Sequence, residues 1–199
     1  MEQSRDIWPF IIALIAVLNG LGIVRLLGGA GEYLKNYSTL NLQHYWVYTL
    51  LAIFQLMSHL LLWWSILSIP VDANINFLSY LYLLIGPTLL YLGTSLMIPD
   101  IKDKSIDLRS EYYNFRKAYF SILTGFWLWI IFVWPVFGYP FSPAVPLVIV
   151  WLLISLILQL TDNSKVHATL VTATCVIYII FIAVFAMRQG EVARTILNN

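Results

Sequence analysis

Six apolar runs, at about residues 7–27, 45–69, 76–98, 117–137, 144–161 and 166–187, dominate this 199-residue chain. A helix needs about 20 largely apolar residues to cross some 30 Å of hydrocarbon, and each run meets or approaches that length. The runs are continuous and do not alternate apolar with polar residues at period two, so helices are favoured over a β-barrel. Hydrophobic residues make up 60% of the chain and charged residues 11%, against about 45–50% and about 25% in soluble domains. A soluble fold of this size has no interior able to hide that much apolar surface. The chain therefore reads as an all-α polytopic membrane protein, a single domain built as a six-transmembrane-helix bundle. The polar stretches between runs fall far short of the ~50 residues that a second domain needs.

The first run, in MEQSRDIWPFIIALIAVLNGLGIVRLL, is too long, and its leading residues too acidic, for a cleaved signal peptide, so it counts as a span. Six crossings put both termini on one side. Arg5, Arg188 and Arg194 lie on that side, against Arg25, Lys35, Lys102, Lys104, Arg109, Arg116, Lys117 and Lys165 on the other. Cytoplasmic loops carry the excess of Lys and Arg, which assigns loops 28–44, 99–116 and 162–165 to the cytoplasm and both termini to the outside. This parity hangs on the fifth run, the shortest. It is tied to the sixth by TDNSKVH as a helical hairpin, and a re-entrant fifth segment would bring the C-terminus inside.

The loop PDIKDKSIDLRSEYYNFRKAYF carries the densest charge in the chain. It is expected to turn helical near Asp107, with Asp107 or Ser105 as N-cap and Glu111 beside the positive first turn. Tyr112, Tyr113, Phe115 and Tyr119 then form an aromatic collar with Arg116 and Lys117. The collar reads as an interfacial belt; alternatively, Arg109, Arg116 and Lys117 contact anionic lipid head groups or a cytoplasmic protein partner. With a net charge of +1 the chain lacks the basic surplus of a nucleic-acid binder.

All ten acidic residues (Glu2, Asp6, Glu32, Asp72, Asp100, Asp103, Asp107, Glu111, Asp162 and Glu191) fall outside the apolar runs. Proton- and sodium-coupled carriers often place a carboxylate at membrane depth, so those mechanisms are demoted. The polar residues inside the runs are milder and periodic. On the second, Tyr48, Gln55, His59 and Trp63 share one face at spacings of seven, four and four; on the fifth, Trp151, Ser155 and Gln159 repeat every four; on the sixth, His167, Thr174 and Tyr178 repeat at seven and four. A bundle turns such stripes inward, either as hydrogen-bonding glue between helices or as the wall of a cavity for a lipid, small molecule or ion. His59 is the most pointed case, because an ionisable ring in hydrocarbon is rare.

Bis-histidine haem ligation has one level-matched pair, His44 with His167, both near the cytoplasmic ends of their helices. His59 is about 22 Å further along than His44. No Cys, Asp or Glu stands beside any His at metal-ligand spacing, so no metal site is expected. Gly86-Pro87 at the centre of the third run reads either as a packing kink or as a helix break that opens a site or gates a pore. Asn19-Gly20 with Gly22 reads as a close-packing face, and GGAG after the first run as a glycine helix end, since it lacks the Lys-Ser/Thr of a phosphate loop. Cys175, the single cysteine, reads as a small buried hydrophobe. No hydrolase, zinc-protease, thiol-redox or kinase signature occurs, so no catalytic residue is expected.

LGIVRLLGGAGEYL, HYWVYTL, HLLLWW, PTLLYLGTSLMIPD and DLRSEYYNFRKAYF together resemble a group of bacterial inner-membrane proteins with no assigned activity. The resemblance implies a stand-alone six-span plasma-membrane unit and carries no substrate. Three kinds of function follow. The first is a binding, sensor or scaffold subunit that holds a lipid, small molecule or partner protein, with homo-oligomers allowed. The second is a small transporter or oligomeric channel gated at Gly86-Pro87. The third is a haem-bearing electron-transfer protein.

Overall fold

A computed structural model describes residues 2–36, 41–66, 76–99 and 105–186, with the backbone alone at 2–7 and 185–186. Its helices are α1 (Glu2–Lys35), α2 (Trp46–Ile66), α3 (Phe77–Met97), α4 (Leu108–Val136), α5 (Val145–Leu160) and α6 (Ser164–Phe181), the last running on into a π-helical turn, Ile182–Ala186. Five are long and apolar enough to cross a membrane. The 16-residue α5 rises only about 24 Å. Central α4 packs between α3 and α5; α1 lies against α3 and α2, and α6 against α2 and α5.

Polar residues set the helix starts. At α3, Asn76 Oδ1 accepts from the Ser79 amide while Ser79 Oγ accepts from the Asn76 amide, each at 2.9 Å, a reciprocal capping box. Asp107 caps α4 as expected, accepting from the Arg109 amide at 2.9 Å, and Asn163 caps α6 through the Lys165 amide at 3.0 Å. Helix α5 carries Pro146 in its first turn, where a missing N–H is no loss. The close of α4 falls to Gly138, whose φ of +80° suits a residue without Cβ.

Three expectations need correcting. GGAG does not end the first helix: α1 runs through it to Lys35 with no glycine there at positive φ. A Cβ at Gly29 would stand 2.9 Å from Ile98 Cγ2, so this glycine serves the close approach of α1 to the end of α3. The aromatic collar is not a lipid-facing belt, because Tyr112, Phe115 and Tyr119 are buried and stack edge-on with one another and with Tyr45, Tyr48 and Phe120. The link 99–116 is not all loop either. Ser105–Asp107 forms a parallel pair with Asn41–Gln43, in the register Asn41 to Ser105, Leu42 to Ile106 and Gln43 to Asp107. These strands, β1 and β2 in chain order, clip the α1–α2 link to the start of α4; three residues are too short for a period-two signal.

Helix α3 is continuous through Pro87. A Cβ at Gly86 would lie 2.5 Å from ring carbons of Trp129, so Gly86 makes room for that indole. The two helices are clasped there by a reciprocal pair: Tyr82 Oη donates to the Trp129 carbonyl at 2.6 Å and Trp129 Nε1 donates to the Tyr82 carbonyl at 2.7 Å. Gly86-Pro87 is a packing feature of an unbroken helix. Of the cations behind the orientation argument, Arg188, Arg194, Lys102 and Lys104 lie outside the described residues, as do the side chain of Arg5 and the link 67–75.

Candidate functional site

His59 is fully buried, and a hydrogen-bond chain through it joins four helices. Its donors and acceptors can be assigned one after another. Asn19 of α1 donates through Nδ2 to the His59 carbonyl at 2.9 Å, which leaves Asn19 Oδ1 as an acceptor, 2.7 Å from His59 Nδ1. The ring therefore carries its proton on Nδ1 and accepts on Nε2, where Thr94 Oγ1 of α3 donates at 2.9 Å. Thr94 in turn accepts from Gln55 Nε2 at 3.1 Å, and the same amide donates to the Leu90 carbonyl at 2.9 Å. Gln55 Oε1 accepts from Tyr119 Oη of α4 at 2.7 Å. Every ring nitrogen and side-chain amide atom in this hydrogen-bond chain has a partner.

Small residues allow the approach. A Cβ at Gly22 would fall 2.3 Å from His59 Cε1, and one at Gly93 would stand 3.4 Å from Tyr119 Cε2. Two turns before Gln55 on α2, Tyr48 Oη donates to the carbonyl of Met97, a C-terminal α3 carbonyl that has no partner within its own helix. The α2 stripe thus runs down α3, with Tyr48, Gln55 and His59 each bonded to it and Trp63 half-buried beyond them.

A second polar cluster closes the end of the α5–α6 hairpin. Arg116 is 3% exposed, and its Nη1 donates to the carbonyls of Leu158, Gln159 and Thr161 at 3.4, 3.3 and 2.7 Å. Its Nη2 pairs with Asp162, which is 79% exposed. A cation at the negative end of α5 is favourable, and the guanidinium fork serves several orphan carbonyls at once. His167, also fully buried, donates from Nε2 to the Thr161 carbonyl at 2.9 Å and accepts on Nδ1 from Tyr112 Oη at 2.7 Å.

The three stripes do not meet in one pocket. The α2 stripe is bonded to α1, α3 and α4, whereas Trp151 and Ser155 of α5 and Thr174 of α6 line a separate cavity of about 10 Å³. Ligand sites for small molecules run to about 300–1,000 Å³. Gln159 is turned away from that cavity and donates to Ser121 Oγ at 2.6 Å, while Tyr178 packs edge-on against Phe54 and Trp151. Of the three cations singled out for partner or lipid contact, Arg116 is used inside the fold, and Arg109 and Lys117 are exposed.

His44 is exposed and bonded to Thr49 Oγ1 at 3.0 Å. Since both nitrogens of His167 are engaged, a haem iron would have to displace Tyr112 or the Thr161 carbonyl to reach it. Among the described residues no group of three or more His, Cys, Asp or Glu side chains is placed to hold a metal. Asn19, Thr94 and Tyr119 complete the central network, although sequence pattern alone places Asn19 only on a packing face and Tyr119 only in a belt. The one available signal was Asn19, an amide inside an apolar run.

No known family model, curated protein or solved structure matches the chain.

Proposed function

We propose that this chain is a scaffold subunit of a bacterial inner membrane, a six-span bundle that holds a partner protein or a second copy of itself on its outer surface. The observation that carries this reading is the hydrogen-bond chain Tyr119–Gln55–Thr94–His59–Asn19, whose own polar atoms are spent in holding four helices together. A carrier needs polar groups free to meet a solute, and a ligand-holding sensor needs an enclosed cavity; the larger space, about 530 Å³ beside Trp46, Thr169, Thr172 and Ile177, is an open groove on the outer surface of α6. The continuity of α3 through Pro87 removes the main support for a gated helix break. Exposed Arg109, beside the end of β2, and exposed Lys117, about 12 Å further along α4, remain as contacts for a partner or for anionic head groups.

Native mass spectrometry from mild detergent tests the reading directly. A complex with a second polypeptide, or a defined homo-oligomer, is expected. A monomer carrying a stoichiometric small molecule would overturn it, as would solute flux in vesicles reconstituted with the pure protein.

The six-span, termini-outside topology is part of the same proposal. Helix α5, at about 24 Å, spans with modest local thinning of the bilayer. A reporter fused after Asn199 is expected to be active only on the periplasmic side; cytoplasmic activity would mean an odd number of crossings or a reversed orientation.

A further inference from the structure

The cavity between α2, α4, α5 and α6 holds the clearest unresolved account of polar groups in the bundle. Two of its lining residues are Trp151, 2% exposed, and Thr174, 8% exposed. Trp151 Nε1 and Thr174 Oγ1 are both buried, and neither has a hydrogen-bond partner among the described residues. A third polar lining group, Ser155 Oγ, donates to the Trp151 carbonyl at 2.9 Å and accepts from Trp127 Nε1 at 3.1 Å. It keeps a second lone pair.

We propose that this cavity is a binding site for one water molecule, shared by Trp151 Nε1, Thr174 Oγ1 and Ser155 Oγ. A buried indole N–H and a buried hydroxyl on one small cavity rarely go unsatisfied. The volume of about 10 Å³ is that of a single water on this measure and leaves no room for a carbon-bearing ligand. Three polar partners is the usual number for an internal water. The water accepts from the Trp151 indole, exchanges one hydrogen bond with the Thr174 hydroxyl and donates to the free lone pair of Ser155. It thereby links α5 to α6 deep in the bundle, well away from the His167–Thr161 contact that joins them at their turn.

Thr174→Val decides the matter by the sign of its effect, since the two side chains have nearly the same shape. With the water in place, valine removes one of its partners, and the melting temperature of the detergent-solubilised protein falls by about 2–4 °C. With an unpartnered hydroxyl, valine relieves an unfavourable burial and the melting temperature holds or rises, which would overturn the proposal. A high-resolution structure of the wild type supplies the second measurement. One density peak within hydrogen-bond distance of both Trp151 Nε1 and Thr174 Oγ1 is expected; a direct bond between those atoms, or a site without density, would overturn it.

Discussion

Gly22→Ala will destabilise the protein by about 3 kcal/mol or more, although alanine is the better helix former by about 1 kcal/mol. The added Cβ would sit 2.3 Å from His59 Cε1 and 2.6 Å from His59 Nε2. The imidazole cannot swing aside freely, because Asn19 holds one nitrogen and Thr94 the other. Either α1 backs away from α2 and Asn19 loses its grip, or the ring rotates and both of its bonds break. Overpacking alone costs about 1–3 kcal/mol, and each buried polar group left without a partner adds about 1–3 kcal/mol. Gly20→Ala is the matched control: nothing lies within 4 Å of a Cβ there, so the same substitution two residues away is neutral or slightly stabilising. Thermal unfolding in detergent reads both. In a His59→Ala background the Gly22→Ala penalty shrinks sharply, since the atoms it struck are gone. Equal penalties in the two backgrounds would mean that Gly22 acts through something other than the ring.

How much of this was legible beforehand depended on the range of the interaction. The helices were, because an apolar run of span length has few other ways to satisfy its backbone in a membrane. The start of α4 at Asp107 was legible too, since a cap is a local event between a side chain and an amide two residues on. Period alone puts Tyr48, Gln55, His59 and Trp63 on one face of α2, and the structure buries Gln55 and His59 of that face while leaving Tyr48 and Trp63 half-buried. Period tells which side of a helix is polar and is silent on which neighbour meets it, and α3 offered only Thr94 and backbone carbonyls as a sign. GGAG misled because glycine serves two purposes with one spelling. At Gly138 it supplies a positive φ, and at Gly29 it supplies the absence of a side chain beside Ile98. Arg116 misled in the opposite direction: its position among aromatics in a charged stretch pointed to the interface, whereas α5 ends beside it and draws the guanidinium inward.

Arg116→Leu is accordingly expected to loosen the whole hairpin end, by about 2–4 kcal/mol. The aliphatic part of the side chain is largely replaced, so the loss falls on hydrogen bonds: Leu158, Gln159 and Thr161 each lose a donor at the carbonyl end of α5. The partner carboxylate contributes much less, because at 79% exposure Asp162 stays hydrated with or without the cation. Asp162→Asn should therefore cost under about 1 kcal/mol, and the asymmetry between the two halves of one ion pair is the diagnostic result. Arg116→Lys falls between them, since an ammonium keeps the charge against the helix end and cannot spread over three carbonyls and a carboxylate as the fork does. Hydrogen exchange localises the effect: amides of residues 158–167 should lose protection in Arg116→Leu, while those around His59 keep theirs. Comparable losses for Arg116→Leu and Asp162→Asn would show that the ion pair, and not the capping of α5, is what holds the hairpin.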